Sequence, residues 1–579
     1  MANKVVAGLL ASLLVVVVCA GAIITLVHST KKATLSDLPS SLHTTSKAII
    51  TTHNSLCSTA LHRESCELML SKLAPKPSSS GRNHLFDVSL ARSPSAQTQV
   101  FKSFIQVTLS ELEAAVKHSA DVANGRVAGK TVAAKTDCEK LLTDALQYAR
   151  DAVALLGDKD IESLKADAND IGFKLTAAMT YMYTCVDGFH DPKLNAEMDH
   201  ILTNATVTGS NALGVINSIS SSVVKPKSRQ AASRKLLGND VDRRGYPTWL
   251  STGERKLLEK SDSQKPDATV AQDGSGDYKT ISEAIDAIPS SNTGRYVIYV
   301  KEGVYDETVL VPRGKENVMM YGDGMDKTIV TGNPADSAHV TKLQAVFAVD
   351  GQNFIAKNMG FRNTAGAIGW PAVAVRTGAE YITFYKCQID GYQDTLYTLS
   401  GRQFFRDCTI SGTIDFIFGN AAVVFQNCKI VVNTPQSGAQ NVITANGRTD
   451  PNMNTGIVFH GCQIIAAEDF KAKSKATANY LGRPWKDYSR TIIMESTIGE
   501  LIHPEGWMPW MNSKARQSTV SYAEYGNKGP GATPEQRVKW PGFHMLSKSE
   551  AAKYTVESFI DDNGWLASTG IPTNAGLMS

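Results

Sequence analysis

The chain has 579 residues, of which 42% are hydrophobic and 20% are charged, and this length predicts two folded units with connecting segments. Its 59 basic and 56 acidic residues give a net charge of +3, which is too small to indicate nucleic-acid binding. A mildly basic surface would nevertheless favour an acidic polymer as a partner.

An uncharged, mostly apolar run extends from Val5 to Val27. Its length is sufficient to span a bilayer and exceeds the usual apolar core of a secretory signal. Val18-Cys19-Ala20 also provides a small-residue cleavage site. Residues 1–30 are therefore either an uncleaved signal-anchor, which the length favours, or a cleaved signal peptide, and both interpretations send the chain into the secretory pathway.

Apolar residues at three- and four-residue spacing predict helices from about residue 36 to 222, where glycine and proline are sparse. The predicted architecture is an all-α, antiparallel four-helix bundle with a disulfide-tied amino-terminal hairpin. An even number of cysteines in an oxidising compartment permits disulfides. Four cysteines lie in this half: Cys57, Cys66, Cys138 and Cys185. Asn204, in Asn204-Ala205-Thr206, is a candidate glycosylation site.

The helical periodicity ends at residue 223, and residues 223–266 form a polar, basic linker. One tetrapeptide occurs twice in this linker, as Arg234-Lys235-Leu236-Leu237 and as Arg255-Lys256-Leu257-Leu258. Because proteolytic nicking concentrates in exposed linkers, the repeated motif predicts a pair of processing sites. The alternative is an ordinary solvated basic segment.

From residue 267 to 579, short β-rich runs separated by glycine, asparagine and aspartate replace the helical pattern. Four runs share the pattern Phe-x-x-Cys-x-Ile, and their cysteines advance by 21, 20 and 34 residues: Phe384–Ile389, Phe405–Ile410, Phe425–Ile430 and Phe459–Ile464. Self-similarity on this scale, without crossover helices, predicts an all-β, right-handed parallel β-helix.

The repeat places its cysteines in an interior ladder on successive coils, where small buried thiols are common. For Cys387 with Cys408, stacked thiols and a disulfide both remain open. The 34-residue step makes Cys428 and Cys462 the better candidates for a disulfide.

Two aspartates, Asp394 and Asp415, are also 21 residues apart, which predicts that they lie side by side on adjacent coils. Carboxylates this close cannot both ionise freely, so their pKa values should separate, as suits a nucleophile and an acid. Arg483 and Trp485 lie in one short downstream segment, and an arginine paired with Asp415 would keep it charged. The alternative is that both aspartates cap turns of the solenoid.

Four segments resemble the signature blocks of plant pectin methylesterases: Tyr392–Tyr397, Asp415–Ala421, Gly447–Asn452 and Leu481–Trp485. The similarity runs from about Asp267 to the carboxyl terminus. The amino-terminal half resembles the pectin methylesterase inhibitor family, in which Cys57 and Cys66 match the first cysteine pair and Cys138 and Cys185 match the second.

The resemblance implies a precursor whose β-helix hydrolyses the methyl esters of homogalacturonan, the pectin of the cell wall, without a metal or other cofactor. Asp415 would attack the ester carbonyl, and Asp394 would protonate the departing methanol and then activate water. The side-chain amide of Gln393 would donate to the oxyanion, and Arg483 would hold Asp415 charged and in place.

The resemblance also implies residues that contact the sugar. Trp485 would stack on a sugar ring, and Trp507 resembles another sugar-contacting aromatic residue, with a role in the core as its alternative. Two positions in the expected substrate site depart from the family. Pro371 stands where many members have a glutamine and Val346 where a threonine is frequent, so one oxyanion donor is missing.

The alternatives to an active esterase are a catalytically impaired pectin-binding or regulatory homologue and an enzyme that breaks the glycosidic bonds of pectin. Besides pectin, the expected partners are a subtilisin-like processing protease and either the pro-region itself or separate inhibitor proteins. We expect the helical unit to restrain the enzyme, or to delay its release to the cell wall, until the linker is cut.

Overall fold

The computed structural model describes residues 56–73, 94–122, 130–157, 159, 161–221, 265–290, 292–335, 343–369, 371–511, 513–514 and 516–578. The apolar run at 5–27 and the processing candidates Arg234, Lys235, Arg255 and Lys256 lie outside these residues. The targeting role of the run and the processing of the linker therefore stay predictions. Within the described ranges, no helix has the length and apolar character needed to cross a membrane.

Helices make up the described part of the amino-terminal unit. Their bounds are Arg63–Leu73 for α1, Pro94–Val122 for α2, Lys130–Leu156 for α3, Ile161–Asp187 for α4 and Pro192–Ser221 for α5. Apolar side chains at helical spacing face the core of this helical unit, as in α3, where Leu142, Ala145 and Ala149 are fully buried. Disulfides join Cys57 to Cys66 and Cys138 to Cys185. The predicted helical fold and both cysteine pairs are therefore confirmed.

The carboxyl-terminal unit is a parallel β-helix built from three sheets. The first sheet contains, in spatial order, β1 Ala268–Val270, β2 Tyr296–Val300, β5 Val318–Gly322, β8 Ile355–Lys357, β11 Ile382–Tyr385, β14 Arg402–Arg406, β17 Ala422–Gln426, β20 Gly456–His460, β23 Arg490–Met494, β25 Ser521–Tyr525 and β26 Phe543–Met545. The second contains β22 Asn479–Gly482, β19 Asn441–Asn446, β16 Ile414–Gly419, β13 Leu396–Thr398, β10 Val373–Thr377, β7 Ala345–Val349 and β4 Val309–Val311. The third contains β24 Thr497–Ile498, β21 Gln463–Ala466, β18 Lys429–Val432, β15 Thr409–Gly412, β12 Gln388–Asp390, β9 Gly360–Asn363, β6 Thr328–Gly332 and β3 Gly303–Asp306.

Short helices lie beside the coils. They are α6 Ile281–Asp286, α7 Arg516–Thr519, α8 Lys548–Ala551 and α9 Val556–Phe559, with 3-10 turns at Ser474–Ala476, Pro534–Gln536, Ala552–Tyr554 and Trp565–Thr569. Thr280 and Glu283 form a capping box at the start of α6, and Ser547 and Glu550 form one at the start of α8.

The phenylalanines of the Phe-x-x-Cys-x-Ile repeat show the register of the coils. Phe384, Phe405, Phe425 and Phe459 pair in register along the first sheet. Consecutive ring centroids are 5.0, 4.8 and 5.4 Å apart, and all four side chains are fully buried. The repeat therefore stacks aromatic rings along the interior of the solenoid, and the predicted parallel β-helix is confirmed.

The cysteines of the repeat are buried free thiols. The predicted disulfide between Cys428 and Cys462 is wrong, and for Cys387 and Cys408 the stacked-thiol alternative is the one observed. The longer step before Cys462 adds residues to the loop at the surface and leaves the coil in register. Each sulfur lies near a carbonyl oxygen of the preceding coil, for example 3.4 Å between Cys408 Sγ and Phe384 O. Burial raises the pKa of Cys408, Cys428 and Cys462, which keeps these thiols protonated.

The helical unit packs on the outer face of the second sheet. Along this sheet, Leu396 and Ile417 point into the β-helix, whereas Tyr397 and Phe418 point outward and are buried in one apolar cluster with the core of the helical unit. Polar contacts surround this cluster. They are Tyr148 Oη to Gly378 O at 3.2 Å, Lys140 Nζ to Asp350 Oδ2 at 2.9 Å, Asp170 Oδ1 to Arg402 Nη2 at 2.7 Å and Asp187 Oδ1 to Lys486 Nζ at 2.7 Å.

Candidate active site

The second sheet brings Asp394 and Asp415 to adjacent coils. The N–H of Asp394 donates to Ile414 O at 3.0 Å, and two residues further on Leu396 pairs with Ile417. Asp394 is 9% exposed and Asp415 is 6% exposed. The structure therefore places the two carboxylates as neighbours near the surface of one sheet, as the 21-residue spacing predicts.

Both aspartates have backbone conformations that direct their side chains away from the regular pleat. The φ angles are 63° at Asp394 and 50° at Asp415, in the left-handed region that aspartate tolerates better than most residues. The pairing of β16 with β19 also shifts register between Ile414 and Ile417. Such irregularities re-aim side chains and are frequent next to active sites.

Arg483 makes a bidentate ion pair with Asp415. Its Nε lies 2.8 Å from Oδ1 and its Nη2 lies 2.7 Å from Oδ2. This geometry is the strongest that an arginine and a carboxylate adopt, and it favours the charged form of the carboxyl. The predicted contact between these two residues is present.

Trp510 was not predicted from the sequence and supports this arginine. The Arg483 guanidinium carbon lies 4.5 Å from the centre of the Trp510 ring, which is a cation–π contact. The only signal in the sequence is the aromatic and proline-rich segment Trp507-Met508-Pro509-Trp510.

A cavity of about 380 Å³ opens beside the ion pair. Its lining consists of Ala367, Gln393, Thr413, Ile414, Gln436, Ala439, Gln440, Val442, Arg483 and Met508. Gln393 and Ile414 immediately precede the two aspartates in the chain. The cavity therefore lies beside the two segments that carry the aspartates, and the side chains of Gln393 and Arg483 line it.

Trp485 lies at the edge of this region and is half-buried. Its ring contacts Phe418 edge-to-face at 6.1 Å, and Phe418 stacks on Tyr397 at 4.3 Å. We call Tyr397, Phe418 and Trp485 the outer aromatic row. Gly447 lies under the indole ring, where a Cβ would come within 2.9 Å of Trp485 Cε3. The absence of a side chain at Gly447 therefore allows the indole to lie against the backbone.

Two residues predicted to contact the substrate are not at the surface. Trp507 is fully buried and stacks on Tyr522 at 4.3 Å, so the sugar-contact prediction is wrong and its alternative, a core role, is confirmed. Val346 on β7 is fully buried in the core of the β-helix, so its assignment to the substrate site is also wrong. The interior of the solenoid favours large apolar side chains, and the resemblance of sequence motifs does not show which of them point inward.

Pro371 lies two residues before the start of β10 and is half-buried. The N–H of the next residue, Ala372, donates to Gln393 O at 3.1 Å, so Pro371 lies on the coil beside Gln393. Proline supplies no hydrogen-bond donor there, and its effect on the reaction stays a prediction. Asn204 is exposed on α5, and its glycosylation also stays a prediction.

Comparisons with known proteins cover both units. A family model described as Pectinesterase matches residues 267–563, and one described as Plant invertase/pectin methylesterase inhibitor matches residues 51–215. Pectinesterase 1 of Citrus sinensis is 44% identical over 449 residues, which are 76% of this chain and 76% of the relative. The pectinesterase/pectinesterase inhibitor of Ficus pumila var. awkeotsang is 37% identical over 535 residues, 91% of this chain and 92% of the relative.

Among solved structures, the pectin methylesterase from carrot matches with a TM-score of 0.53 and 48% sequence identity, covering 54% of this chain and 98% of that chain. The Pectinesterase family model covers the unit that carries Asp394, Asp415 and Arg483. Because the family model covers residues 267–563 and the plant relatives match most of the chain, this protein belongs to the pectinesterase family and carries an inhibitor-family helical unit ahead of its β-helix.

Proposed function

We propose that Asp415 is the nucleophile and Asp394 the acid–base residue of the pectin demethylesterification that this family member carries out. The observation that carries the proposal is the bidentate Arg483–Asp415 pair beside a second buried aspartate on the next coil. One carboxylate held charged by an arginine and a neighbouring carboxyl able to hold a proton are what nucleophilic and acid–base roles require.

In the first step, an Asp415 oxygen attacks the ester carbonyl carbon of a galacturonate unit, and the carbonyl oxygen becomes an oxyanion that accepts from the Gln393 amide. Asp394 gives its proton to the methanol oxygen as the carbon–oxygen bond breaks. In the second step, Asp394 takes a proton from water, whose oxygen attacks the acyl carbon and releases Asp415. One water is consumed, and one methanol and one free carboxyl are formed.

Methanol release from highly methylated pectin tests this proposal. The chain, after its linker is cut and the helical unit removed, should release methanol without shortening the polymer. A loss of polymer length without methanol would indicate cleavage of glycosidic bonds instead. Methanol release equal to that of an Asp415→Asn variant would overturn the proposed roles.

We further propose that the helical unit is a removable cover over the path of the polymer. Tyr397 and Phe418 of the outer aromatic row are buried beside α4, and Trp485 is half-buried there. Thr180 of α4 accepts from Asn420 Nδ2 at 2.8 Å, and Asp187 of α4 pairs with Lys486. In contrast, no described residue of the helical unit lines the cavity beside Asp415. The helical unit therefore blocks the stacking of sugars on the outer aromatic row more directly than it blocks access of the ester to the two carboxylates.

Cutting the linker should activate the enzyme. With a protease recognition sequence inserted within residues 223–266, we expect methanol release from pectin to rise about tenfold or more after cleavage and separation of the helical unit, because a covered groove lowers the binding-competent fraction. Initial rates before and after cleavage measure this. The same insertion without protease is the control, and equal rates in both states would contradict the cover.

The Gly447→Ala substitution should weaken pectin binding through Trp485. The added Cβ must displace the indole ring from its place against the backbone, since the two would otherwise be 2.9 Å apart. Losing about 1 kcal/mol of stacking would raise KM for pectin about fivefold and change kcat little. Gly294→Ala is the matched control, because a Cβ there meets nothing within 4 Å. An unchanged KM would show that Trp485, in its position against Gly447, does not contribute to pectin binding.

Secretion and processing complete the proposal. The amino-terminal apolar run would direct the precursor into the secretory pathway, and a subtilisin-like protease would cut at the repeated Arg-Lys-Leu-Leu sites before the enzyme acts in the cell wall. Replacing Arg234, Lys235, Arg255 and Lys256 by alanine should leave a full-length, retained precursor.

A further inference from the structure

The segment 483–487 carries two side chains of the proposed site. Arg483 pairs with Asp415, and Trp485 belongs to the outer aromatic row. β22 ends one residue before this segment, so the segment lies outside the sheet. Pro484, between the two side chains, has no backbone N–H to donate. Contacts from elsewhere in the chain therefore contribute to fixing both side chains.

The guanidinium of Arg516 binds the backbone of this segment from a later coil. Its Nη1 donates to Pro484 O at 3.1 Å and to Trp485 O at 2.6 Å. Its Nε donates to Asp487 Oδ1 at 2.8 Å. Hydrogen bonds from a charged donor are stronger than those between neutral groups, and the planar guanidinium fixes the direction of each bond. One side chain therefore holds two consecutive carbonyls of the segment.

Arg516 is presented from a fixed part of the β-helix. It begins α7, whose last residue, Thr519, donates from Oγ1 to Asp487 O. Two residues later, the N–H of Ser521 donates to Ser489 O at 2.9 Å, where β25 starts to pair with β23. The guanidinium therefore connects the segment to the stacked coils of the solenoid.

In the precursor the helical unit also contacts this segment. Lys486 Nζ lies 2.7 Å from Asp187 Oδ1 on α4. This ion pair is lost when the helical unit leaves, whereas Arg516 belongs to the β-helix and stays. Arg516 is only 23% exposed, so its hydrogen bonds to the carbonyls are partly shielded from water. The contacts of Arg516 therefore remain in the released enzyme.

Arg516 acts on the site through its neighbours. The described residues that line the cavity do not include it, and its hydrogen bonds at 3.1, 2.6 and 2.8 Å all go to the segment. A shift of the peptide between Pro484 and Trp485 would move the Arg483 guanidinium on one side and the indole on the other. Displacement of a catalytic group by about 1 Å can cost about a hundredfold in rate.

We infer that Arg516 is a positioning residue, which sets both the arginine on the nucleophile and the tryptophan on the sugar through the carbonyls of Pro484 and Trp485. The inference rests on the proposed function, in which Asp415 is the nucleophile. Its consequence is that loss of Arg516 lowers kcat through Arg483 and raises KM through Trp485. The Gly447→Ala substitution, by contrast, changes KM alone.

The test measures kcat and KM for methanol release from highly methylated pectin, with the full chain after its linker is cut. Arg516→Gln should lower kcat about fivefold and raise KM about fivefold, because its shorter, uncharged side chain does not hold both carbonyls. Arg516→Lys keeps a charged donor without the planar fork and should lie between that variant and the wild type. Arg362→Gln, at an arginine that is 46% exposed, is the matched control and should equal the wild type.

A double variant shows whether the effect on KM passes through Trp485. Gly447→Ala already displaces the indole, so adding Arg516→Gln should leave KM about fivefold above the wild-type value and still lower kcat. A loss of fold would instead reduce the active fraction, which lowers the apparent kcat and leaves KM unchanged.

Three results would overturn the positioning role. The first is an Arg516→Gln variant with the kcat and KM of the wild type, and the second is a fall in kcat with unchanged KM. The third is a KM that rises about twenty-fivefold in the double variant, as independent effects would give. If thermal unfolding shows that Arg516→Gln does not fold, Arg516→Lys carries the same comparison. Failure of the proposed catalytic roles is distinct, because it would appear as methanol release by the Asp415→Asn variant.

Discussion

Replacing Asp415 by asparagine should reduce methanol release from pectin by about ten-thousandfold or more, because removal of a catalytic nucleophile costs several orders of magnitude in rate. An amide oxygen is a poor nucleophile, and Arg483 would lose the charged partner that it contacts through two hydrogen bonds at 2.8 and 2.7 Å. Methanol assayed over hours on highly methylated pectin, with the helical unit removed, gives the required range. Asp394→Asn should lose a comparable amount, because it removes the proton donor for methanol.

Asp407→Asn is the matched control for both substitutions. Asp407 has nearly the same backbone conformation as the two active-site aspartates, with φ at 53°, but it follows a strand of the first sheet and contacts Arg406 at 3.2 Å. It should retain wild-type activity. Thermal unfolding of all three variants shows whether a loss of activity reflects a loss of fold. Retention of more than a tenth of the activity by Asp415→Asn would rule out its role as nucleophile.

Replacing Arg376 by methionine should destabilise the β-helix by about 3–5 kcal/mol, because it leaves a buried carboxylate without its partner. Arg376 makes two hydrogen bonds to Asp350, at 2.6 and 3.1 Å, and the two side chains are only 4% and 5% exposed. Lys140 of the helical unit also contacts Asp350, at 2.9 Å. The loss should therefore be larger in the separated β-helix than in the full chain, as measured by denaturant midpoints.

Two comparisons test the cause of that destabilisation. The double variant Arg376→Met with Asp350→Leu should recover much of the loss, since it removes the stranded charge. Arg362→Met is the matched single control, because Arg362 pairs with Asp390 only at 3.7 Å and is 46% exposed. A double variant as unstable as the single one would show that packing of the Arg376 stem, and not the charge, is decisive.

The same pair predicts a pH dependence. Burial alone raises the pKa of Asp350, but the charge and hydrogen bonds of Arg376, and then those of Lys140, lower it well below its usual value. The folded protein therefore binds this proton less readily than the unfolded chain. The contribution to stability is present above about pH 4, the usual pKa of an aspartate, and is lost as the pH falls towards the folded-state pKa.

Much of the β-helix could be predicted because a solenoid repeats its own sequence pattern. The spacing of the Phe-x-x-Cys-x-Ile runs predicted which residues stack, and Phe384, Phe405 and Phe425 do so. The same spacing predicted that Asp394 and Asp415 are neighbours. Arg483 is 68 residues from Asp415 and lies outside the repeat, so the residues alone suggested their pairing only as a hypothesis.

Other features depend on contacts between residues that belong to no repeated pattern in the sequence. Trp507 is buried because Tyr522, on a later coil, stacks on it at 4.3 Å. Cys428 and Cys462 are free thiols whose sulfurs lie against carbonyl oxygens of the preceding coil, whereas the residue count alone suggested a disulfide. For the tryptophan and for the cysteine pair, the local sequence pattern led to a wrong prediction, because a neighbouring coil determines the environment of the side chain.

The sequence by itself determined that this protein joins a helical unit to a parallel β-helix and that its two aspartates lie on adjacent coils, because both follow from periodic patterns of apolar residues. Only the tertiary structure decided that the helical unit covers the outward face of the second sheet, with Lys140 on Asp350 and Asp170 on Arg402. Those partners are separated by more than 200 residues, and the burial of apolar surface that brings them together is non-directional.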